Sequence, residues 1–233
     1  MVILGGSRSQ WAPVLFGVPQ GSILGLLLYL LYTVDLSRIF SKLSVVGHLY
    51  ADDTQALVTG PPNSQLVLLD RINALILELH LWMSSNRLCL NASKTQLIWF
   101  GSKHNLQLID YPVLASAYPS LSFSPVIKNL GVHLDSALTF SHHFSSLTRS
   151  CYFHLRRLRV IRRSVSSEVL QTLIHAFVIN RIDYCSSIYL GLPRYRLATL
   201  QSVLNSASRL PRFSPISAYS LEYLHWLLIS LRI

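Results

Sequence analysis

Two short runs of alternating apolar and polar residues flank an acidic dipeptide early in the chain. The runs cover residues 44–50 and 54–58, and such alternation is typical of half-buried β-strands. A tight turn between them predicts an antiparallel hairpin. Its tip would present Asp52 and Asp53.

Helical spacing dominates the remainder of the pattern. Apolar residues recur every three or four positions over 65–83, which predicts a helix packed on the hairpin. From residue 140 onwards three more helical stripes predict an all-helical region. Residues 126–134 predict a second hairpin around Gly131, whereas 88–90 and 96–100 suggest another strand pair. A polar connector is expected over 102–124.

Composition supports a folded chain of the α+β class. The chain has 233 residues, of which 51% are hydrophobic, so a sizeable core is possible. Its net charge of +10 is unevenly distributed, because residues 149–233 contain twelve Arg and three acidic residues. Such an excess indicates a polyanion-binding half of the chain.

One segment concentrates this positive charge. There is no Asp or Glu between positions 136 and 167, whereas a solvated helix face normally mixes both signs. We therefore expect this segment to contact phosphate groups. The arginines within it are Arg149, Arg156, Arg157, Arg159, Arg162 and Arg163.

An uncharged stretch over 11–34 raises the alternative of a membrane helix. Gly17, Gly21 and Gly25 have the spacing of a membrane-helix dimer motif. Pro19 and Gln20 interrupt the pattern, however, and the purely apolar part spans only about a dozen residues, too few to cross a bilayer. We predict instead a buried helix that starts near Ser22, with no signal peptide and no membrane partner.

The cysteines and histidines indicate no disulfide framework and no zinc site. Cys89, Cys151 and Cys185 are odd in number and form no CxxC pair, so a reducing, intracellular location is expected, in the nucleus or cytoplasm. Residues 142, 143, 151 and 154 lack zinc-finger spacing and are expected to be surface and core residues.

The acidic dipeptide is the main candidate for chemistry. Paired carboxylates at a hairpin tip offer oxygen ligands to hard cations such as Mg²⁺, which can activate phosphoryl transfer. Asp is also common in turns because it hydrogen-bonds its own backbone. The dipeptide alone is therefore compatible with either role.

Several blocks in fixed order make the chain resemble a known family. The family is the reverse transcriptases of non-LTR retrotransposons of the jockey and chicken-repeat kind. The blocks are FGVPQGSILG at 16–25, YADD at 50–53, WMSSN at 82–86, LNASKT at 90–95, NLGVHLD at 129–135, and RIDYC at 181–185 followed by GLP at 191–193. The likeness extends from residue 17 to the end of the chain, including HW at 225–226.

This resemblance implies both an architecture and an activity. Residues 1–139 would form a partial polymerase palm, an antiparallel sheet with packing helices, and residues 140–233 a helical thumb truncated at its C-terminus. The expected reaction is RNA-directed DNA polymerisation with Mg²⁺ or Mn²⁺. The implied partners are an RNA template, a DNA primer, dNTPs and the upstream part of the element's polyprotein.

The resemblance also assigns roles to individual residues. Asp52 would be a catalytic metal ligand and Asp53 a supporting ligand, while Lys94 would assist pyrophosphate departure as an acid. By its sequence position alone Lys94 is equally compatible with an ordinary turn lysine. The other implied contacts are Gln20, Gly21, Tyr50 and Ala51 for nucleotide and template, Leu130 and Gly131 for the primer grip, and Arg149, Arg156, Arg157, Arg159 and Arg163 for phosphate.

One departure from the family pattern bears on activity. Two-metal transfer needs a further carboxylate on a neighbouring strand, which the family supplies from a motif upstream of residue 16. The chain has no acidic residue before Asp35, and in a continuous helix Asp35 would lie about 18 Å from the helix start at 1.5 Å per residue. Two expectations therefore remain: a polymerase fragment, or an inactive retrotransposon remnant that still binds nucleic acid.

Overall fold

The computed structural model describes residues 3–10, 22–91, 93–119, 121–211 and 229. Their backbone combines helices with two-stranded antiparallel sheets, which agrees with the predicted α+β class. The chain divides into two compact units, Met1–Lys94 and Thr95–Ile233. Within the described residues, no helix is both long and apolar enough to cross a membrane.

The described residues of the first unit form two small hairpins and three helices. Its elements in chain order are β1 (Ile3–Leu4), β2 (Ser7–Arg8), α1 (Gly25–Thr33), α2 (Leu36–Lys42), β3 (Val46–Tyr50), β4 (Asp53–Leu57) and α3 (Gln65–Ser85). Leu75 and Leu79 of α3 are buried against Leu36 and Phe40 of α2 and against Val45. The predicted helix over 65–83 is thereby confirmed.

Helix α1 forms where an apolar helix was predicted, but it is not buried. Leu26 is 75% exposed and Leu30 and Leu31 are each 63% exposed, whereas Thr33 is buried. A helix that is apolar on every side is normally covered on every side, whereas the described neighbours of α1 leave most of it uncovered. Tyr32 contacts one of these neighbours, with its ring edge-on to Trp82 of α3 at 6.2 Å.

In the second unit, the part of the chain that the structure describes forms one hairpin and the longer helical bundle. Its elements are α4 (Lys103–Gln107), α5 (Tyr111–Ala117), β5 (Val126–Asn129), β6 (Val132–Asp135), α6 (Ser141–Ile161), α7 (Ser167–Ile174), a π-helical segment (His175–Ile179), α8 (Asn180–Asp183), a 3₁₀ turn (Ser186–Tyr189) and α9 (Arg194–Ser208). The π-segment joins α7 directly to α8.

The bundle core follows the stripes read from the sequence. Cys151 and Leu155 of α6, Ile174 of α7 and Leu200 and Leu204 of α9 are at most 4% exposed. Phe144 of α6 and Tyr189 of the 3₁₀ turn belong to the same cluster. Most positions of the three helical stripes after residue 140 therefore pack as predicted, but Ile161 and Phe177, which the periodicity also assigns to the core, are 40% and 41% exposed.

Two predictions about the middle of the chain were wrong. Segments 88–90 and 96–100 do not pair; instead Leu97 makes an isolated parallel bridge with Phe123, because β-like composition does not determine which segment a strand pairs with. The connector over 102–124 contains α4 and α5. Ser102 and Asp110 cap these helices by accepting from the amides of Asn105 and Val113.

Candidate functional site

The acidic dipeptide lies at the tip of the β3–β4 hairpin, as predicted. Tyr50 pairs with Asp53, so that Ala51 and Asp52 form a two-residue loop. All four residues are exposed. Ala51 has a left-handed φ of 51°, which costs an alanine about 1–2 kcal/mol, and backbone strain of this kind clusters at functional sites. The tip therefore offers both carboxylates to solvent.

A glycine brings the hairpin close to helix α2. A Cβ atom placed on Gly47 would lie 2.5 Å from the ring atoms Cγ and Cδ2 of Phe40, and Phe40 itself is only 5% exposed. Strand β3 and helix α2 can approach this closely only where no side chain intervenes. Gly47 thus fixes the distance between the hairpin and the helix beneath it.

We expect Gly47→Ala to destabilise the first unit by about 1–3 kcal/mol, because the added methyl group overpacks against Phe40. Chemical unfolding followed by circular dichroism would measure the loss. Ala56→Ser is the matched control, because Ala56 is exposed and pairs with Gly47 across the hairpin. Equal stability of the Gly47→Ala variant and the wild type would contradict the described contact.

Tyr29 of α1 is a site residue that sequence reasoning missed. Partial burial raises the pKa of its hydroxyl, and the negative charge of Asp52 raises it further. The phenol therefore lies within electrostatic reach of the hairpin tip and stays protonated at neutral pH. The available signal was a tyrosine inside an otherwise apolar run, which by itself is equally typical of packing.

Two acidic residues of the first unit are engaged in ion pairs away from the hairpin tip. Asp35 pairs with Arg38 at 3.0 Å, and Glu78 pairs with Lys42 at 2.7 Å. Within the described part of the chain, no group of three His, Cys, Asp or Glu side chains has the geometry to hold a metal ion. The tip thus presents two carboxylates without a third protein ligand from these residues.

Other predicted nucleotide contacts lie partly outside the described residues. Gln20 and Gly21 fall within 11–21, which the structure does not describe. Lys94 is exposed, and its backbone amide donates to the backbone carbonyl of Asn91 at 3.1 Å, closing a turn. Ser93 also donates to the side chain of Asn91, at 2.7 Å. The lysine side chain extends from this turn.

The second hairpin is tied to a distant motif block. Leu130 and Gly131 form its two-residue loop and have φ values of 43° and 87°, the left-handed pair that favours glycine in tight hairpins. The hydroxyl of Tyr184 donates to the carbonyl of Leu130 at 2.6 Å. The RIDYC block therefore supports the hairpin that the family resemblance assigns to primer contact, and sequence reasoning missed this role of Tyr184.

Four of the five predicted phosphate-contacting arginines lie on the solvent side of helix α6, and Arg163 lies in the turn that follows the helix. All five side chains are exposed, whereas the opposite side of the helix carries Cys151, Leu155 and Leu158 into the core. We call these residues the arginine face: Arg149, Arg156, Arg157, Arg159 and Arg163. Arg149 and Arg156 are seven residues apart, about 10 Å along the helix. No acidic residue interrupts this face within α6.

Three histidines meet where β6 approaches the start of α6. The ring of His133 lies 4.9 Å from that of His142 and 6.1 Å from that of His143. Burial lowers the pKa of His133, with further lowering by His142 and Lys128. Burial likewise lowers the pKa of His143, followed by the effect of His133. Both imidazoles are therefore held neutral at pH 7.

This cluster predicts a loss of stability in acid. Because the folded-state pKa values of His133 and His143 lie below the ordinary value of 6.5, the unfolded chain binds protons first as the pH falls. The contribution of these two histidines to stability is fully present above pH 6.5 and is lost as the pH falls through their lowered pKa values. We expect a lower thermal midpoint at pH 5.5 than at pH 7.5, measured by circular dichroism.

His133→Gln tests the cause of this pH dependence. The variant should lose part of the difference between the two midpoints, whereas His104→Gln should keep it, because His104 is exposed on α4. Equal midpoints at both pH values in the wild type would contradict the prediction.

Comparison with known proteins bears on the identity of the chain. It is 30% identical over 160 residues to a probable RNA-directed DNA polymerase from transposon BS of Drosophila melanogaster, covering 66% of this chain and 17% of that protein. It is 29% identical over 150 residues to the RNA-directed DNA polymerase from mobile element jockey of Drosophila funebris, covering 62% and 16%. The corresponding jockey polymerase of Drosophila melanogaster is 26% identical over 154 residues.

All three of these relatives are RNA-directed DNA polymerases of transposons or mobile elements, which confirms the resemblance read from the motif blocks. The chain is thus similar to the reverse transcriptases of jockey-type mobile elements. It spans about one sixth of the length of these relatives. No protein-family model and no solved structure matches it.

Proposed function

We propose that this chain is a segment of an RNA-directed DNA polymerase that adds dNTPs to a DNA primer on an RNA template. The observation that carries the proposal is the β3–β4 hairpin, whose tip exposes Asp52 and Asp53 in a relative of reverse transcriptases. Carboxylate oxygens suit Mg²⁺ or Mn²⁺. In this role residues 1–139 form a partial palm and residues 140–233 a thumb.

Each part of the hairpin has a role in the proposed reaction. Asp52 would hold the catalytic metal ion and Asp53 would be a supporting ligand, while Tyr50 and Ala51 shape the loop beside the primer end. The bound metal supplies charge stabilisation for phosphoryl transfer. Tyr29 of α1 lies within electrostatic reach of Asp52. Gln20 and Gly21 contact the incoming nucleotide and template.

The proposed roles of Lys94 and the second hairpin come from the family resemblance, and their exposure is compatible with these roles. Lys94 is a side-chain donor on an exposed turn, where it can protonate the departing pyrophosphate. Leu130 and Gly131 contact the primer, with Tyr184 holding their loop. The arginine face contacts backbone phosphates of the template–primer duplex.

Catalysis in this proposal also needs a third carboxylate. A two-metal site would need an additional carboxylate ligand. Asp35 and Glu78 are poor candidates for this ligand, because both are already paired with cations. We propose that the third ligand comes from the upstream part of the element's polyprotein. The metal-binding hairpin then completes its site only in that context.

An alternative function is nucleic-acid binding by an inactive retrotransposon remnant. The observation that favours it is the arginine face, which is formed by α6 and the turn that follows it and needs no residue from elsewhere. This alternative predicts affinity for RNA–DNA hybrids without polymerisation in any context. It differs from the main proposal in the role of Asp52.

A chimera separates the two functions. In the jockey polymerase of Drosophila funebris, the matching segment is replaced by the 150 residues of this chain that align with it. We expect Mg²⁺-dependent extension of a DNA primer on an RNA template, with the unaltered jockey protein as the positive control. A chimera that folds and binds the hybrid without extending the primer would support the remnant instead.

A further inference from the structure

Two aromatic rings from different helices stack on the surface of the second unit. His154 of α6 and Phe177 of the π-segment lie 5.3 Å apart at an interplanar angle of 15°. Phe177 nevertheless remains 41% exposed. A large apolar ring that is stacked on one side and open to solvent on the other is a surface on which another planar group can stack.

The stack continues along α6. The ring of Phe153 meets His154 edge-on at 5.4 Å and is 46% exposed. The guanidinium of Arg157 lies over the Phe153 ring, 5.5 Å from its centroid. We call Phe153, His154 and Phe177 the aromatic platform. Its rings form one connected row from α6 to the π-segment.

Positive charge surrounds the aromatic platform. Arg157 and Arg181 are both exposed, and both lower the pKa of His154 after burial, the largest cause. The imidazole is therefore neutral at pH 7, and its ring can stack without carrying charge. Helix α6 itself carries no acidic residue. The acidic residues of the helices that follow it are Glu168 of α7 and Asp183 of α8.

The aromatic platform is continuous with the arginine face. Phe153 follows Arg149 by four positions and precedes Arg156 by three, so their side chains lie on neighbouring parts of the same helix surface. The π-segment beneath Phe177 interrupts regular helix geometry, a feature that is frequent at functional sites. Aromatic rings interleaved with arginines suit a partner that is both planar and anionic.

We propose that the aromatic platform binds unpaired bases of a single-stranded nucleic acid, with Arg157 and Arg181 contacting its phosphates. Every base has a π-face, so rings and arginines together bind single strands with little sequence preference. The charge favours this occupant over a protein partner, because the surface is basic as well as apolar. The inference rests on the proposed function only in that both require α6 to face nucleic acid.

Leucine substitution at the exposed rings tests the proposal. Phe153→Leu and Phe177→Leu keep apolar bulk but remove the π-face. We expect each to lower the affinity of the full chain for a single-stranded RNA of roughly ten nucleotides about tenfold. Affinity for a blunt RNA–DNA hybrid should change less than twofold. Fluorescence anisotropy of labelled oligonucleotides measures both affinities.

Ring-retaining variants and folding controls make the result decisive. Phe177→Tyr should keep wild-type affinity for the single strand, and equal thermal midpoints would show that the leucine variants are folded. Unchanged single-strand affinity in both leucine variants would overturn the proposal while leaving hybrid binding intact. Altered sedimentation of the leucine variants without a change in RNA affinity would also overturn the proposal, because it would indicate that the aromatic platform is a protein-binding surface. If the wild-type chain did not bind the hybrid, the nucleic-acid role of α6 would be overturned altogether.

Discussion

We expect Asp52→Asn to lower Mg²⁺-dependent primer extension by the chimera at least a thousandfold. The carboxylate stands in the two-residue loop of the β3–β4 hairpin, exposed to solvent. An amide of the same shape keeps the loop but carries no charge to hold the metal. Loss of several kcal/mol of metal-based stabilisation corresponds to a rate reduction of this size.

Asp53→Asn provides the matched comparison for this experiment. Asp53 opens β4 and pairs with Tyr50 across the hairpin, so its proposed role is supporting. Its replacement should reduce extension by a smaller factor, about tenfold to a hundredfold, or about 1–3 kcal/mol. Extension by the Asp52→Asn chimera at the parental rate would show that the metal binds elsewhere.

We expect replacement of all five arginines of the arginine face by glutamine to lower the affinity of the chain for an RNA–DNA hybrid at least a hundredfold at physiological salt. Each phosphate contact releases counterions, so binding that uses five arginines depends steeply on salt. The slope of log affinity against log salt should become shallower by about 4.5, because each of the five phosphate contacts contributes about 0.9 for a B-form duplex. Titrations at several salt concentrations measure both quantities.

Arg194→Gln with Arg209→Gln is the control for loss of charge alone. Both arginines are exposed on the second unit and lie outside α6. Their replacement should change the affinity less than fivefold. An unchanged salt slope in the arginine-face variant would contradict the proposed phosphate contacts.

Local sequence signals predicted the parts of the fold that depend on neighbouring residues. The β3–β4 hairpin follows from alternation on either side of a short acidic turn, and the loop at Gly131 follows from the need for positive φ. The core stripe of α6 follows from helical periodicity alone. In each case the determining contacts are a few positions apart.

Contacts between distant residues could not be read in the same way. Tyr184 and Leu130 are 54 positions apart, yet one hydrogen bond joins them. The influence of Asp52 on Tyr29 depends on how α1 lies beside the hairpin. The ring pair His154–Phe177 depends on the packing of two helices. Such pairings are set by tertiary packing, which local spacing does not encode.

The apolar pattern of α1 predicted the helix correctly but not its environment. Periodicity identifies apolar faces, whereas burial depends on which partner covers them. Leu26, Leu30 and Leu31 remain mostly exposed in the first unit. The same limit applies to Leu97, whose partner Phe123 lies in a segment expected to be a connector.

Binding of Mn²⁺ at the hairpin tip tests the central claim most directly, because it needs no third carboxylate and no polymerase partner. In nuclear magnetic resonance spectra of the chain, small additions of Mn²⁺ should broaden the amide signals of Tyr50, Ala51, Asp52 and Asp53 before others. Asp52→Asn should abolish this selective broadening. Broadening that is centred elsewhere, or that persists unchanged in the variant, would contradict a metal-binding role for the hairpin.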